Sequence, residues 1–99
     1  MNEFESMIII DPALTPEEAE NENKKFCDFI KENEGEIINT DIWGKKVLAF
    51  EIDNKKEGYF FINYFKINGS QTTKTNRYYK LNEKIFRYNL LTGSMSKEQ

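Results

Sequence analysis

The stretch Glu57–Phe65, EGYFFINYF, carries five aromatic rings in nine residues, and nothing else in the chain limits the fold so strongly. Aromatic and β-branched residues at this density form strand rather than helix. Side chains alternate along a strand, so Phe61, Phe65 and Ile67 share one face, with Asn63 between them. Phe60, Ile62 and Tyr64 share the other face. A strand apolar on both sides reads as a central strand.

The elements around it follow from local signals. Phe4 to Ile10 is extended and ends in the apolar run Met7-Ile8-Ile9-Ile10, which Asp11-Pro12 stops. Thr15-Pro16-Glu17-Glu18 opens a helix: threonine caps, proline suits the first turn, and Glu18 completes a capping box. Ala19, Phe26, Phe29 and Ile30 form its apolar stripe, and Gly35 is the expected left-handed stop. Ile37 to Ile52 is a long extended region hinged at Trp43-Gly44, and Asp53 to Gly58 is the turn that joins it to the aromatic strand as a hairpin. Asn68-Gly69-Ser70 breaks that strand. A second helix is predicted from a Ser70 cap to about Leu81, with Tyr78 and Leu81 facing inward, and Lys84 to Thr92 reads as a last strand.

The order β-α-β-β-α-β, closed with right-handed crossovers, predicts an α+β fold of the ferredoxin-like kind, a four-stranded antiparallel sheet with two helices on one face. With 99 residues there is room for one domain, placed at 1–92, with a loose polar tail at 93–99.

Composition removes most catalytic chemistry. Cys27 is the only cysteine and there is no histidine, which excludes internal disulfides, Cys/His zinc sites and a histidine proton shuttle. Glu17, Glu18, Glu20 and Glu22 match no calcium loop and read as a solvated helix start. The five glycines are scattered at turns and form no phosphate cradle. No metal, cofactor, small-molecule substrate or catalytic residue is expected. No apolar run nears the roughly 20 residues that span a bilayer. The N-terminus also lacks the charged and apolar regions of a signal peptide, so the expected location is the cytoplasm.

The net charge of −3 conceals an asymmetry: residues 1–36 carry −8, residues 37–99 carry +5. Phosphate attraction acts over about one Debye length, roughly 10 Å, so a locally basic surface can hold a polyanion on an acidic protein. Lys45, Lys46, Lys55, Lys56, Lys80, Lys84 and Arg87 are the candidate RNA-binding residues, expected to share a surface built from the hairpin and the last strand, away from the acidic first helix.

Gly58, Tyr59, Phe61, Ile62 and Tyr64 also fit the third-strand pattern of an RNA-recognition motif, in which rings stack on bases. Glu57 and Phe60 depart from it, and Met7–Ile10 supplies no partner ring. A free RRM-like module for single-stranded RNA is therefore the alternative reading. An acyl-phosphate hydrolase on this fold needs an arginine cradle on the first loop, where the chain has Asp11-Pro12-Ala13-Leu14.

Four segments in order resemble one family. Trp43-Gly44-Lys45-Lys46-Val47-Leu48-Ala49-Phe50-Glu51-Ile52 is similar to the W-G-[RK]-[RK]-x-L-A-[YF]-x-I signature of bacterial small-subunit ribosomal protein six. Phe4-Glu5 with Pro12 and Leu14, then Gly58-Tyr59-Phe60, then Leu81 to Tyr88, resemble its opening strand, its turn and its closing pattern. The resemblance spans about residues 4–92. It implies a ferredoxin-like structural protein without catalysis. It further implies binding to small-subunit ribosomal RNA, in the central domain, together with ribosomal protein eighteen, a small basic partner. The family's RNA-contacting bases carry to Lys45, Lys46, Lys80 and Arg87, and Tyr59 and Tyr64 are candidates to meet the partner or RNA. Asn2, Glu51 and the threonine-rich segment 70–81 depart from the family pattern.

Overall fold

The structure is a computed structural model that describes residues 2–92; the expected loose tail, 93–99, lies outside the described residues. The strands are β1 (Asn2–Ile10), β2 (Glu36–Ile52), β3 (Lys55–Ile67) and β4 (Ile85–Thr92); the helices are α1 (Pro16–Glu32) and α2 (Thr72–Leu81). Every neighbouring pair is antiparallel, in the order β2-β3-β1-β4, so the aromatic strand β3 is indeed internal.

Alternation sorts the sheet into two faces. Phe4, Ser6, Ile8 and Ile10 of β1 and Tyr59, Phe61, Asn63, Phe65 and Ile67 of β3 are buried toward the helices. Phe26 of α1 centres this layer. Its ring stacks on Tyr79 of α2, with centroids 5.3 Å apart, and meets the edge of Phe65 at 5.8 Å. Each such ring contributes roughly 1.5–3 kcal/mol of burial, which is how a chain with only 38% hydrophobic residues closes a core.

The start of α1 is as the sequence dictates: the Thr15 hydroxyl accepts from the Glu18 amide and the Glu18 carboxylate accepts from the Thr15 amide. The helix end differs. Glu34, not Gly35, takes the left-handed conformation, at φ 67°. Gly35 is required for space instead, since a Cβ there would lie 2.6 Å from Ile30 Cγ2 and 2.9 Å from the Ile30 and Lys66 carbonyl oxygens.

Three other expectations are corrected. The hairpin turn is only Asp53-Asn54, with φ 51° and 65°, the pair of positive angles that suits the twist of two antiparallel strands. Lys55 and Lys56 therefore begin β3 rather than sit on the turn. Asn68, not Ser70, caps the short 3-10 turn Gly69–Gln71 that leads into α2. That helix buries Thr75 and Tyr79; Tyr78 is half-buried and Leu81 points out, because the helix is rotated by one residue from the expected register. The hinge at Trp43-Gly44 is a β-bulge, with Gly44 at φ 79°.

Candidate nucleic-acid interface

The sheet face away from the helices is uncovered by any element of the described chain. Its middle is apolar. Trp43, projected by the β2 bulge and half-exposed, stacks on Phe60 with centroids 6.2 Å apart and planes 11° apart. Ile9, Ile62 and Met7 fill the centre, and Leu91 on β4 is 45% exposed. The two ends of this face have opposite charge. Glu3 and Glu5 lie toward the start of β1, with Asp41 across β3 from them. The Tyr64 hydroxyl donates to the Asp41 carboxylate at 3.2 Å. Partial burial, then that bond and the charges of Asp41 and Glu5, push the Tyr64 phenol above its ordinary range.

At the other end stand three cations. Lys46 pairs with Gly58, and Arg87 pairs with Ile9, so both project from the open face. Phe86 occupies the bulge of β4 between them and packs onto Gly58, whose missing side chain leaves the room: a Cβ there would lie 2.5 Å from Ile9 Cγ2 and 2.9 Å from Phe86 Cζ. Lys55 lies over that ring, its Nζ 5.3 Å from the centroid. Lys46, Lys55 and Arg87 thus surround one aromatic floor, the combination that holds phosphates and stacks against RNA. Lys56, next to Lys55 at the start of β3, is exposed.

The other expected bases do not join this corner. Lys45 adjoins Lys46, so its side chain leaves the opposite face of the strand, and its Nζ lies 5.1 Å from the Tyr59 ring centroid. Lys80 is on the last turn of α2 and Lys84 is in the loop before β4, both within the helix layer. The single basic surface expected from the sequence is therefore divided between the two sides of the sheet. Spacing along the chain showed where the bases cluster, while strand parity decides which side each one faces.

Tyr59 is also corrected. It is 4% exposed and its hydroxyl donates to the Leu14 carbonyl at 2.8 Å, which fixes the ring among the helices and away from the open face. Phe61 is 1% exposed on the same side. These are the rings that the RNA-recognition pattern needs on its surface, so base stacking of that kind has no platform here. Phe86 and the Trp43–Phe60 pair are the aromatic features that sequence reasoning missed. A bulge places Trp43, at the hinge that Gly44 marks in the sequence, and another places Phe86, which has no signal in the alternation pattern.

Among the described residues no group of acids and cysteine is arranged to hold a metal ion, and no helix is long and apolar enough to cross a membrane. The first loop carries no arginine; Asp11 Oδ1 there accepts from the Ala13 amide at 2.9 Å.

Comparison with known proteins agrees with the architecture. The family model described as Ribosomal protein S6 matches residues 3–92. The small ribosomal subunit protein bS6 of Thermoanaerobacter pseudethanolicus is 39% identical over 88 residues, covering 89% of this chain and 93% of that protein. The bS6 of Clostridium acetobutylicum is 30% identical over 92 residues, covering 93% and 97%. The crystal structure of 30S ribosomal protein S6 from Thermotoga maritima superposes with a TM-score of 0.91 at 26% identity, covering 98% of this chain and 92% of that one. The sheet order, the two helices on one face and the motif-bearing hairpin lead to the same conclusion: the chain belongs to the ribosomal protein S6 family, structural proteins of the small ribosomal subunit and not enzymes.

Proposed function

We propose that this protein binds small-subunit ribosomal RNA of the central domain through the corner formed by Lys46, Lys55 and Arg87, and that it does so together with ribosomal protein eighteen. One observation carries the reading. The cationic end of the open sheet face adjoins an apolar strip, Trp43, Phe60, Ile62 and Leu91, that the described chain leaves uncovered. Contiguous exposed apolar surface of this kind marks a macromolecular contact. The cations hold backbone phosphates, which position a protein without reading sequence. The apolar strip suits a protein partner. The acidic end, at Glu3, Glu5 and Asp41, attracts a basic one in a single orientation.

Co-assembly on central-domain RNA tests this. The purified chain alone should bind weakly, and adding ribosomal protein eighteen should strengthen binding by about tenfold or more, as expected of coupled sites. Trp43→Asp should abolish that gain while leaving the weak RNA binding in place. Equal affinity with and without the partner would reject the joint mode.

A further inference from the structure

A second surface lies on the helix layer, turned away from the open sheet face. A groove of about 630 Å³ runs between α1 and α2. Its floor is apolar: Phe29 of α1 and Tyr78 of α2, with ring centroids 4.7 Å apart, and Leu81, which is 74% exposed. Its rim carries Lys74, Arg77 and Lys84, with Glu83 beside Lys84, and Glu22 and Lys25 on the α1 side. The helix α2 contains no acid at all. Glu22 on the α1 side is already engaged, bonded by Lys25 at 3.0 Å and by the Asn82 amide at 3.4 Å. Among the described residues Lys74, Arg77 and Lys84 form no ion pair.

We infer that this groove docks an acidic, amphipathic helical segment of a partner protein, with apolar side chains on the Phe29–Tyr78–Leu81 floor and carboxylates against Lys74, Arg77 and Lys84. Two features select this occupant. An exposed leucine on a concave apolar floor gains by burial against aliphatic side chains, whereas a phosphate backbone would leave that floor wet. Lys74, Arg77 and Lys84 outnumber Glu83, the acid beside them, so the rim complements a negative partner better than a basic one. The groove and the open sheet face lie on opposite sides, so both can be occupied at once.

The probe is a fluorescein-labelled synthetic peptide of roughly four helical turns, with leucines along one stripe and glutamates flanking them, compared with the same peptide carrying lysines for glutamates. Fluorescence anisotropy with the full chain should show the glutamate peptide binding at least about tenfold more tightly than the lysine one. Lys74→Glu with Arg77→Glu should weaken the glutamate peptide by about tenfold or more. Leu81→Asp should remove binding without lowering the melting temperature appreciably, since that side chain is mostly exposed. Equal binding of the two peptides, or indifference to Arg77→Glu, would overturn the inference. So would an oligouridylate that binds more tightly than the peptide in an Arg77-dependent way, because the groove would then be an RNA site. None of these variants touches Lys46, Lys55 or Arg87, so the RNA reading stands or falls separately.

Discussion

The side-chain amides of Asn23 and Asn63 bond each other reciprocally across the interface of α1 and β3. Asn63 Nδ2 donates to Asn23 Oδ1 at 2.7 Å and Asn23 Nδ2 donates to Asn63 Oδ1 at 3.3 Å. Thr40 Oγ1 also donates to Asn63 Oδ1, at 2.8 Å. Both asparagines are buried, and the pairing offsets the cost of placing two amides in an apolar core. It also fixes the register of the helix on the sheet.

Removing one member should cost more than removing the interaction. Asn63→Ala strands the Asn23 amide and the Thr40 hydroxyl, a loss of about 2–3 kcal/mol. A double replacement of Asn23 and Asn63 by leucine should cost less than the sum of the two single leucine variants. Urea unfolding measures both, and simple additivity would show that the two amides do not act as a pair.

Gly58 is the second prediction. Its lack of a side chain lets Phe86 lie across the end of β3. Gly58→Ala should destabilise the fold by about 1–3 kcal/mol, as over-packing does. It should also weaken RNA binding, because Phe86 and the Lys55 ammonium above it must move together. Thermal melting checks the first effect and RNA titration the second. A variant as stable as the parent would show that the contact is loose.

Alkaline pH should destabilise the protein. Burial above all raises the Tyr79 phenol well above its ordinary value of 10.0, with the Ser6 hydroxyl bonded to it partly opposing the shift. Burial likewise raises the Cys27 thiol above 9.0. A raised pKa in the fold means that the unfolded chain ionises first. Stability is therefore complete below these ordinary values and falls as pH rises through them toward the folded pKa values. The melting temperature should hold steady from neutrality to about pH 9 and then decline. Tyr79→Phe should make the decline shallower while lowering stability at neutral pH by about 1–2 kcal/mol, because Ser6 loses its partner. A decline of unchanged steepness in Tyr79→Phe would assign the titration elsewhere.

Much of the fold was legible because its signals are local. The Thr15–Glu18 box and the alternation of Phe61, Asn63, Phe65 and Ile67 needed only nearest neighbours in the chain, and the structure reproduces them. The α1 stripe is legible in Ala19, Phe26, Phe29 and Ile30, but Asn23, buried beside Ala19, Phe26 and Ile30, is not. Its burial depends on Asn63, forty residues away, which periodicity cannot register. The site was less legible for the same reason. Bulges at Trp43 and Phe86 shift the faces of two strands, and Lys45 and Lys46, adjacent in sequence, depart to opposite sides. Charge counts located the bases, and only the register divided them.

The central claim is that Lys46 and Arg87, on one end of the open sheet face, hold RNA phosphates. The salt dependence of binding to central-domain RNA, in the presence of ribosomal protein eighteen, tests it most directly. Lys46→Ala with Arg87→Ala should lower the slope of log affinity against log salt by about 2, one unit for each lost phosphate contact. Lys24→Ala with Lys31→Ala, on the exposed side of α1, should leave the slope unchanged. An unaltered slope in the first pair, or an equal drop in the second, would contradict the account.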